Sequence, residues 1–243
     1  MGQLSVSASV ALLVAALGAA CATTDSAATV SGAVKLDGDA PALKEFILDA
    51  TMQRATGERI YREESWLVGA DRGLANCVVT LKAKVAGTET KPLARMTVDK
   101  VGVRYVPHVL VVTPGTEVVL RNKESPCHGF HAAGLKNDWN YMVQEGTEQK
   151  VTMRGPDRCM ITCPVRPYVL GYIVVVDTPY FAVTNAEGNF VIRDVPAGEY
   201  QVTVWHEVAG KLTKDAGPME INLTAAGDQA LRYKVKPKDT VGK

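Results

Sequence analysis

Histidine is scarce in this chain of 243 residues, with only four copies, and aromatic residues make up 6%. Four histidines are too few for several histidine-rich metal sites, which excludes a multi-metal oxidase. The sequence also contains no HExxH motif, no phosphate-binding glycine loop and no GxSxG nucleophile elbow. Since the common enzyme classes have no motif here, we predict that the protein is not an enzyme. The histidines are His108, His128, His131 and His206.

An excess of charge of either sign is also missing, because 27 basic residues are matched by 26 acidic residues and the net charge is +1. A nucleic-acid-binding protein usually carries a basic field, so we expect no nucleic-acid partner. Hydrophobic residues make up 47%, which is enough for a packed core. Valine outnumbers leucine, and this β-branched enrichment favours strands over helices. The last residues, 236–243, form a basic tail.

A hydrophobic run long enough to span a membrane is missing too, but a shorter one lies near the start. Val6 to Ala20 carries no charge and spans about 15 residues, short of the ~20 that a transmembrane helix needs. We predict that residues 1–22 form an export segment. Its end resembles a bacterial lipoprotein cleavage site with Cys21 as the lipidated residue, and simple cleavage nearby is the alternative. The mature protein would lie in the periplasm or be an outer-membrane lipoprotein, with a lipid anchor through Cys21.

Five cysteines are present, and four of them follow the export segment. Four thiols in an oxidising compartment can form two disulfides in three connectivities, and the same thiols can instead bind a metal. The sequence does not separate these alternatives. The disulfide candidates are Cys77, Cys127, Cys159 and Cys163.

Many short apolar runs at regular spacing predict an all-β sandwich architecture. A typical run is 108–112, which is followed by the turn Thr113-Pro114-Gly115-Thr116. Three stretches do not fit this pattern of short strands. We expect helical turns around 43–49, a solvated charged face over 54–64, and loops over 122–150, where Asn, Lys, Ser, Pro and Gly cluster.

The central part of the chain, residues 96–176, resembles the cupredoxin, or plastocyanin-like, family. The resemblance is carried by YVPHVLVVTPGTEVVLRNKES, then CHGFHA, then GYIVVVD after a cysteine loop. The whole chain is similar to an exported bacterial group that pairs such a domain with a carboxypeptidase-regulatory-like β-sandwich. That similarity is carried by GLANCVVTLKA before the core and PYFAVTNAEGNFVIRDVPAGEYQVTVWHE after it. It implies a cupredoxin-like Greek-key sandwich plus a smaller carboxypeptidase-regulatory-like, or transthyretin-like, β-sandwich.

The two resemblances also imply a domain order. Residues 28–87 would supply the first strands of the regulatory-like sandwich, 88–178 the cupredoxin-like domain, and 179–235 the remainder of the regulatory-like sandwich. The alternative is a serial order, with 28–178 in one domain and 179–235 in another. We prefer the split order, because the last segment alone would make a thin domain.

In the family that this chain resembles, two histidines, a cysteine and a methionine bind type 1 copper, since thiolate and imidazole suit that metal. His128 and Cys163 match the first histidine and the thiolate. Arg166 stands in the place of the second histidine, and Val169 in the place of the methionine. An arginine stays protonated and cannot bind the metal, so the comparison implies a degenerate copper site. We hypothesise that Arg166 replaces the metal's charge and holds the loops by hydrogen bonds.

Two functions are open at this point. The first is an exported, non-enzymatic protein that binds an unknown protein partner in the envelope, with no cofactor expected. The second is a copper-binding carrier, for electron transfer or copper handling, with the remodelled ligands His128, His131 and Cys163. We expect His108 to be packed or hydrogen-bonded at the start of its strand, and the run Trp205-His206-Glu207 to serve packing.

Overall fold

The computed structural model describes residues 27–85, 89–123, 128–212, 214–224 and 227–237. Strands dominate these residues, so the all-β prediction is confirmed. The export segment with Cys21, as well as Cys127 and most of the basic tail, lies outside the described residues. In chain order the elements are β1 Ala28–Leu36, β2 Glu45–Ile47, α1 Ala50–Thr56, β3 Ile60–Arg62, β4 Val78–Ala83, β5 Met96–Val101, β6 Arg104–Val106, β7 Val109–Val112, β8 Glu117–Asn122, β9 His128–Ala133, β10 Trp139–Val143, β11 Glu148–Thr152, β12 Asp157–Cys163, β13 Arg166–Val175, β14 Tyr180–Val183, β15 Asn189–Val195, β16 Gly198–His206, β17 Gly210–Lys211, β18 Glu220–Leu223 and β19 Gln229–Val235.

The strands form two β-sandwiches that are stacked on each other. In the first sandwich, a sheet of order β15-β1-β19 packs on a sheet of order β14-β4-β16-β17, and β18 pairs with β16. In the second sandwich, a sheet of order β10-β9-β12-β13-β7 packs on a sheet of order β11-β8-β5-β6. The first sandwich thus takes strands from both ends of the chain, and the second takes its strands from the middle.

Alternation along the strands explains how the two sandwiches share a boundary. Neighbouring residues of a strand point to opposite faces of the sheet. In β7, Leu110 enters the core of the second sandwich, while Val109 and Val111 enter a third cluster between the sandwiches. In β16, Val204 enters the core of the first sandwich and Trp205 enters the same third cluster. Because β7 is buried on both faces, its sequence is apolar throughout, whereas β16 alternates polar and apolar residues and is buried on both faces only over 204–206.

A small unit of residues 43–66, called the cover segment below, packs on the second sandwich. It contains the two-stranded ribbon of β2 and β3 and the helix α1. Leu48, Met52 and Tyr61 anchor it, because all three side chains are buried in the core of the second sandwich. The prediction of a solvated face over 54–64 is therefore wrong at Tyr61.

The prediction of helical turns around 43–49 is also wrong, because the helix begins only after Asp49. The Asp49 carboxylate accepts hydrogen bonds from the backbone N–H groups of Thr51 and Met52, which is the geometry of an N-cap. The helix ends at Gly57, whose φ of 73° is left-handed. Among the described residues, no helix has the length and the apolar character that a membrane span requires.

The prediction of loops over 122–150 is wrong as well, since β9 and β10 pair there and join the five-stranded sheet. The glycine and small residues of β9 weaken its strand propensity in the sequence. Phe130 and Ala132 of β9 are nevertheless fully buried in the core of the second sandwich. Burial against neighbouring strands overrides the local preference.

The turn between β14 and β15 carries the chain from one sheet of the first sandwich to the other. Gly188 in this turn has a φ of 77°, and a Cβ at this position would collide with the carbonyl oxygen of Val34. Gly57 has a similar φ of 73°, but nothing lies within 4 Å of the corresponding Cβ position.

We predict that Gly188→Ala destabilises the protein more than Gly57→Ala. Each change costs about 1 kcal/mol because of the left-handed backbone. The collision with Val34 adds about 1–3 kcal/mol in Gly188→Ala alone. Urea unfolding followed by circular dichroism measures both losses, and equal losses would contradict crowding at Gly188.

Candidate functional site

Cys163 and His128 meet in the core of the second sandwich. Cys163 is the last residue of β12, and His128 is the first residue of β9. The Cys163 Sγ lies 3.9 Å from His128 Nδ1, and both residues are fully shielded from solvent. Two of the three predicted metal ligands are therefore adjacent.

The third predicted ligand, His131, lies on the other face of the sheet. It follows His128 by three residues in β9, and an odd separation along a strand places two side chains on opposite faces. His131 is half-buried and pairs across the sheet with Asn140 and Thr162. In the part of the chain that the structure describes, no group of three or more His, Cys, Asp or Glu side chains could hold a metal ion.

The disulfide prediction fails for the three described candidates, because Cys77, Cys159 and Cys163 are free thiols. Cys77 is buried in the core of the first sandwich, whereas Cys159 and Cys163 are buried in the core of the second. Cys159 and Cys163 share one face of β12, but four residues of strand separate them by about 13 Å. Burial raises the pKa of Cys77 to about 12, and burial with the nearby Asp157 raises that of Cys159 to about 12.

Arg166 lies beside the Cys163–His128 pair. It begins β13 and pairs with Cys163 across a turn of two residues, so the expected ligand loop is a tight β-hairpin. The residue is only 7% exposed. Its Nε and Nη2 donate to Asp49 Oδ2 at 3.3 and 3.2 Å, while its buried Nη1 has no hydrogen-bond partner among the described residues. This geometry agrees with the hypothesis that Arg166 is held by hydrogen bonds, and Val169 is fully buried in the core.

The environment of His128 is positively charged. Burial and the charges of Lys100 and Arg166 lower the pKa of His128 to about 4. Lys100 is itself fully buried, and its Nζ donates a hydrogen bond to the carbonyl oxygen of Gly102. The His128 imidazole is therefore neutral at neutral pH, and its Nε2 is buried without a hydrogen-bond partner in the described part of the chain.

Three aromatic rings lie next to this site. Phe46 and Tyr61 belong to the cover segment, and Tyr168 belongs to β13. The ring centroids of Phe46 and Tyr168 are 4.9 Å apart, and those of Tyr61 and Tyr168 are 5.8 Å apart. Because Tyr168 follows Arg166 by two residues, the aromatic contacts and the Arg166–Asp49 ion pair attach the cover segment to the same end of β13.

A second buried polar cluster joins the cover segment to both sandwiches. His108 Nε2 lies 2.6 Å from Glu207 Oε1, and His108 Nδ1 lies 3.7 Å from Glu64 Oε2. Burial lowers the pKa of His108, but the hydrogen bond and charge of Glu207 and the charge of Glu64 outweigh it, so this pKa is raised. Burial raises the pKa of Glu64, against the effects of His108 and Arg104. The expectation that His108 is packed or hydrogen-bonded agrees with this contact, whereas the packing expectation for Glu207 misses it.

Three residues of these two clusters were missed by the sequence analysis: Asp49, Lys100 and Glu64. Asp49 had a detectable signal, because an Asp directly before a helical stretch is a typical N-cap. Lys100 and Glu64 had none, because charged residues are expected at the surface unless their partners are known.

We predict that Asp49→Asn destabilises the protein by about 1 kcal/mol, because Asn does not balance the charge of Arg166. The loss is this small because Asn still caps the helix and because solvent screens the half-exposed Asp49. The backbone hydrogen bond from Met52 and the charge of Arg166 lower the pKa of Asp49. A lowered carboxyl pKa contributes stability above the unfolded pKa of about 3.9, and this stability is lost as the pH falls through the folded pKa.

The difference in unfolding free energy between wild type and Asp49→Asn should therefore shrink in acid. Urea unfolding at about pH 7 and about pH 2 compares the two proteins on both sides of this transition. A difference that is the same at both pH values would contradict the role of the Asp49 charge.

We predict that the His128 ring stays neutral from about pH 8 down to about pH 5, since its pKa is lowered to about 4. NMR titration of the histidine ring protons measures this, and His128→Gln assigns the signal. Because the unfolded chain binds this proton more readily, His128 should weaken the fold as the pH drops from about 6.5 towards about 4. A titration midpoint near the ordinary histidine pKa of about 6.5 would show that the His128 ring is not held in a dry, cationic environment.

Comparison with known proteins gives similarity to solved structures only, since no family model and no curated protein matches the chain. A reduced amicyanin mutant is 20% identical, with a TM-score of 0.31, over 40% of this chain and 99% of that one. The purple cupredoxin from Nitrosopumilus maritimus is 17% identical, with a TM-score of 0.30, over 35% of this chain and 100% of that one. The copper-containing nitrite reductase NirK from Thermus scotoductus SA-01 is 22% identical, with a TM-score of 0.31, over 39% of this chain but only 25% of the reductase.

Proposed function

We propose that this chain is an exported, non-enzymatic binding or interaction protein whose cupredoxin-like sandwich has lost its copper site. The observation that carries the proposal is the buried Arg166, which is 7% exposed and paired with Asp49 beside Cys163 and His128. A guanidinium cannot lose its proton in a protein, so this position holds a permanent positive charge.

The donor set does not fit type 1 copper. Such a site takes two imidazoles and a thiolate with a weak axial ligand, and here only one imidazole and one thiol lie together. Lys100 and Arg166 both lower the pKa of His128 through their charge, and the same charges oppose a metal cation at this place. We therefore derive no copper chemistry for the resident side chains.

The partner that we propose is a protein of the cell envelope. The balanced charge of the chain gives no field for nucleic acid. The export segment and the lipid anchor through Cys21 are part of the same proposal, and they place the two sandwiches outside the cytoplasm. The split order, with the first sandwich built from both ends of the chain, is our preferred domain description.

A copper carrier is the second candidate, and one distance favours it. The 3.9 Å between Cys163 Sγ and His128 Nδ1 is short enough for one ion to contact both atoms, because metal–sulfur and metal–nitrogen bonds of about 2.3 and 2.0 Å span up to about 4.3 Å. A soft ion such as Cu(I) would suit this pair. His131 would not take part, since it lies on the other face of β9.

Copper titration of the mature protein, followed by visible absorption, tests the proposal. We expect no thiolate-to-copper charge-transfer band, because the thiol is buried beside two cations. A strong band in the wild type that disappears in Cys163→Ser would overturn the proposal in favour of the carrier.

The double variant Arg166→His with Val169→Met is the matched positive control. It removes the cation and places a histidine and a methionine at the two positions where the resemblance expects them. A band in the double variant but not in the wild type would trace the loss of copper binding to these two positions. The buried Val169→Met change costs about 1–3 kcal/mol from overpacking, so circular dichroism must first show a folded protein.

A further inference from the structure

The cover segment contacts Arg166, the cross-strand neighbour of Cys163, and charged contacts lie near both of its ends. Near its start, Asp49 contacts Arg166. At its far end, Glu64 Oε1 lies 3.3 Å from Arg104 Nε, and Glu64 Oε2 lies 3.7 Å from His108 Nδ1. The charged contacts therefore reach both sheets of the second sandwich, Arg166 at β13 and Arg104 at β6.

The far end is the more buried of the two. The side chains of His108, Glu207 and Glu64 are only 7%, 3% and 17% exposed. Glu207 directly follows β16 of the first sandwich, and His108 directly precedes β7 of the second. Glu64 thus contacts the Glu207–His108 pair, which joins the two sandwiches at their boundary.

The backbone of the cover segment is joined only to itself in the described residues. Its strands β2 and β3 pair with each other and with no strand of either sandwich. The hydrogen bonds from Leu48 N–H to Arg59 and from Glu63 N–H to Lys44 are also internal. The segment can therefore leave the second sandwich without breaking a ladder bond of the four large sheets, which is the requirement for local opening.

We propose that the cover segment is a lid over the Cys163–His128 pair, and that the contacts of Glu64 with His108 and Arg104 are the latch that keeps it closed. Leu48, Met52 and Tyr61 share one core cluster with Cys163, so lifting the lid brings solvent to the thiol. Access to this buried thiol and imidazole is then controlled from a site at the boundary between the two sandwiches.

The test is the rate at which iodoacetamide alkylates Cys163 at fixed pH in the full protein without added metal, with labelled peptides identified by mass spectrometry. We expect Glu64→Gln to speed alkylation of Cys163 about tenfold, because the ion pair of Glu64 with Arg104 and its charge attraction to His108 are lost from a mostly buried site. Cys77 lies in the core of the first sandwich and reports global unfolding. Its rate should not change.

Glu45→Gln is the matched control. It removes the same charge from the same segment, but its partner Arg62 is 69% exposed, and such surface pairs contribute little. We expect the wild-type rate at Cys163 in this variant.

Two results would overturn the latch. One is an unchanged Cys163 rate in Glu64→Gln, and the other is an equal rise at Cys163 and Cys77, which means global destabilisation. If Glu64→Gln does not fold, Arg104→Gln removes the Glu64 contact together with the contacts of Arg104 to Glu58 and Tyr61 of the same segment, and it must give the same selective rise.

The inference does not depend on the proposed function. A copper band in the wild-type protein would overturn the interaction-protein proposal and leave the alkylation result in the metal-free protein unaffected. Failure of the latch would likewise leave the copper titration unchanged.

Discussion

The burial of the Arg166 charge is the constraint on which the rest of the site depends. Moving a charge from water into a protein costs several kcal/mol unless a partner is supplied. The partner is Asp49, which lies 117 residues earlier in the chain. The same carboxylate caps α1, so one side chain both starts the helix and balances the arginine. The cover segment must therefore be in place whenever Arg166 is buried.

A metal ion and this ion pair would hold the site together in different ways. A bound metal links the strands that carry its ligands, here β9 and β12. The ion pair instead links the start of β13 to the cover segment, and it leaves Cys163 and the neutral His128 as neighbours. Because Lys100 and Arg166 already favour the neutral form of His128, they disfavour a cation for the same reason.

The strand content was predictable because β7 and β13 are buried on both faces and read as apolar runs. The β9–β10 hairpin was not predictable, because its burial depends on neighbouring strands that its own composition does not reveal.

In the site, Arg166 and Cys163 could be identified from the motif that the chain resembles. Their partner Asp49 could not, since no local pattern connects residues that are 117 positions apart. The opposite orientation of His131 follows only once β9 is known to be a strand.

Hydrophobic contacts and ionic contacts both hold the cover segment on the second sandwich, in different ways. Burial of Leu48, Met52 and Tyr61 supplies most of the free energy, but apolar contacts are not directional and tolerate small shifts. Hydrogen-bonded charges require defined distances and angles. With Asp49 paired to Arg166 near one end and Glu64 paired to Arg104 at the other, the segment is fixed in both position and orientation. Glu64 also lies 3.7 Å from His108, which Glu207 of the first sandwich contacts at 2.6 Å, so the far end of the cover segment lies next to a contact between the two sandwiches.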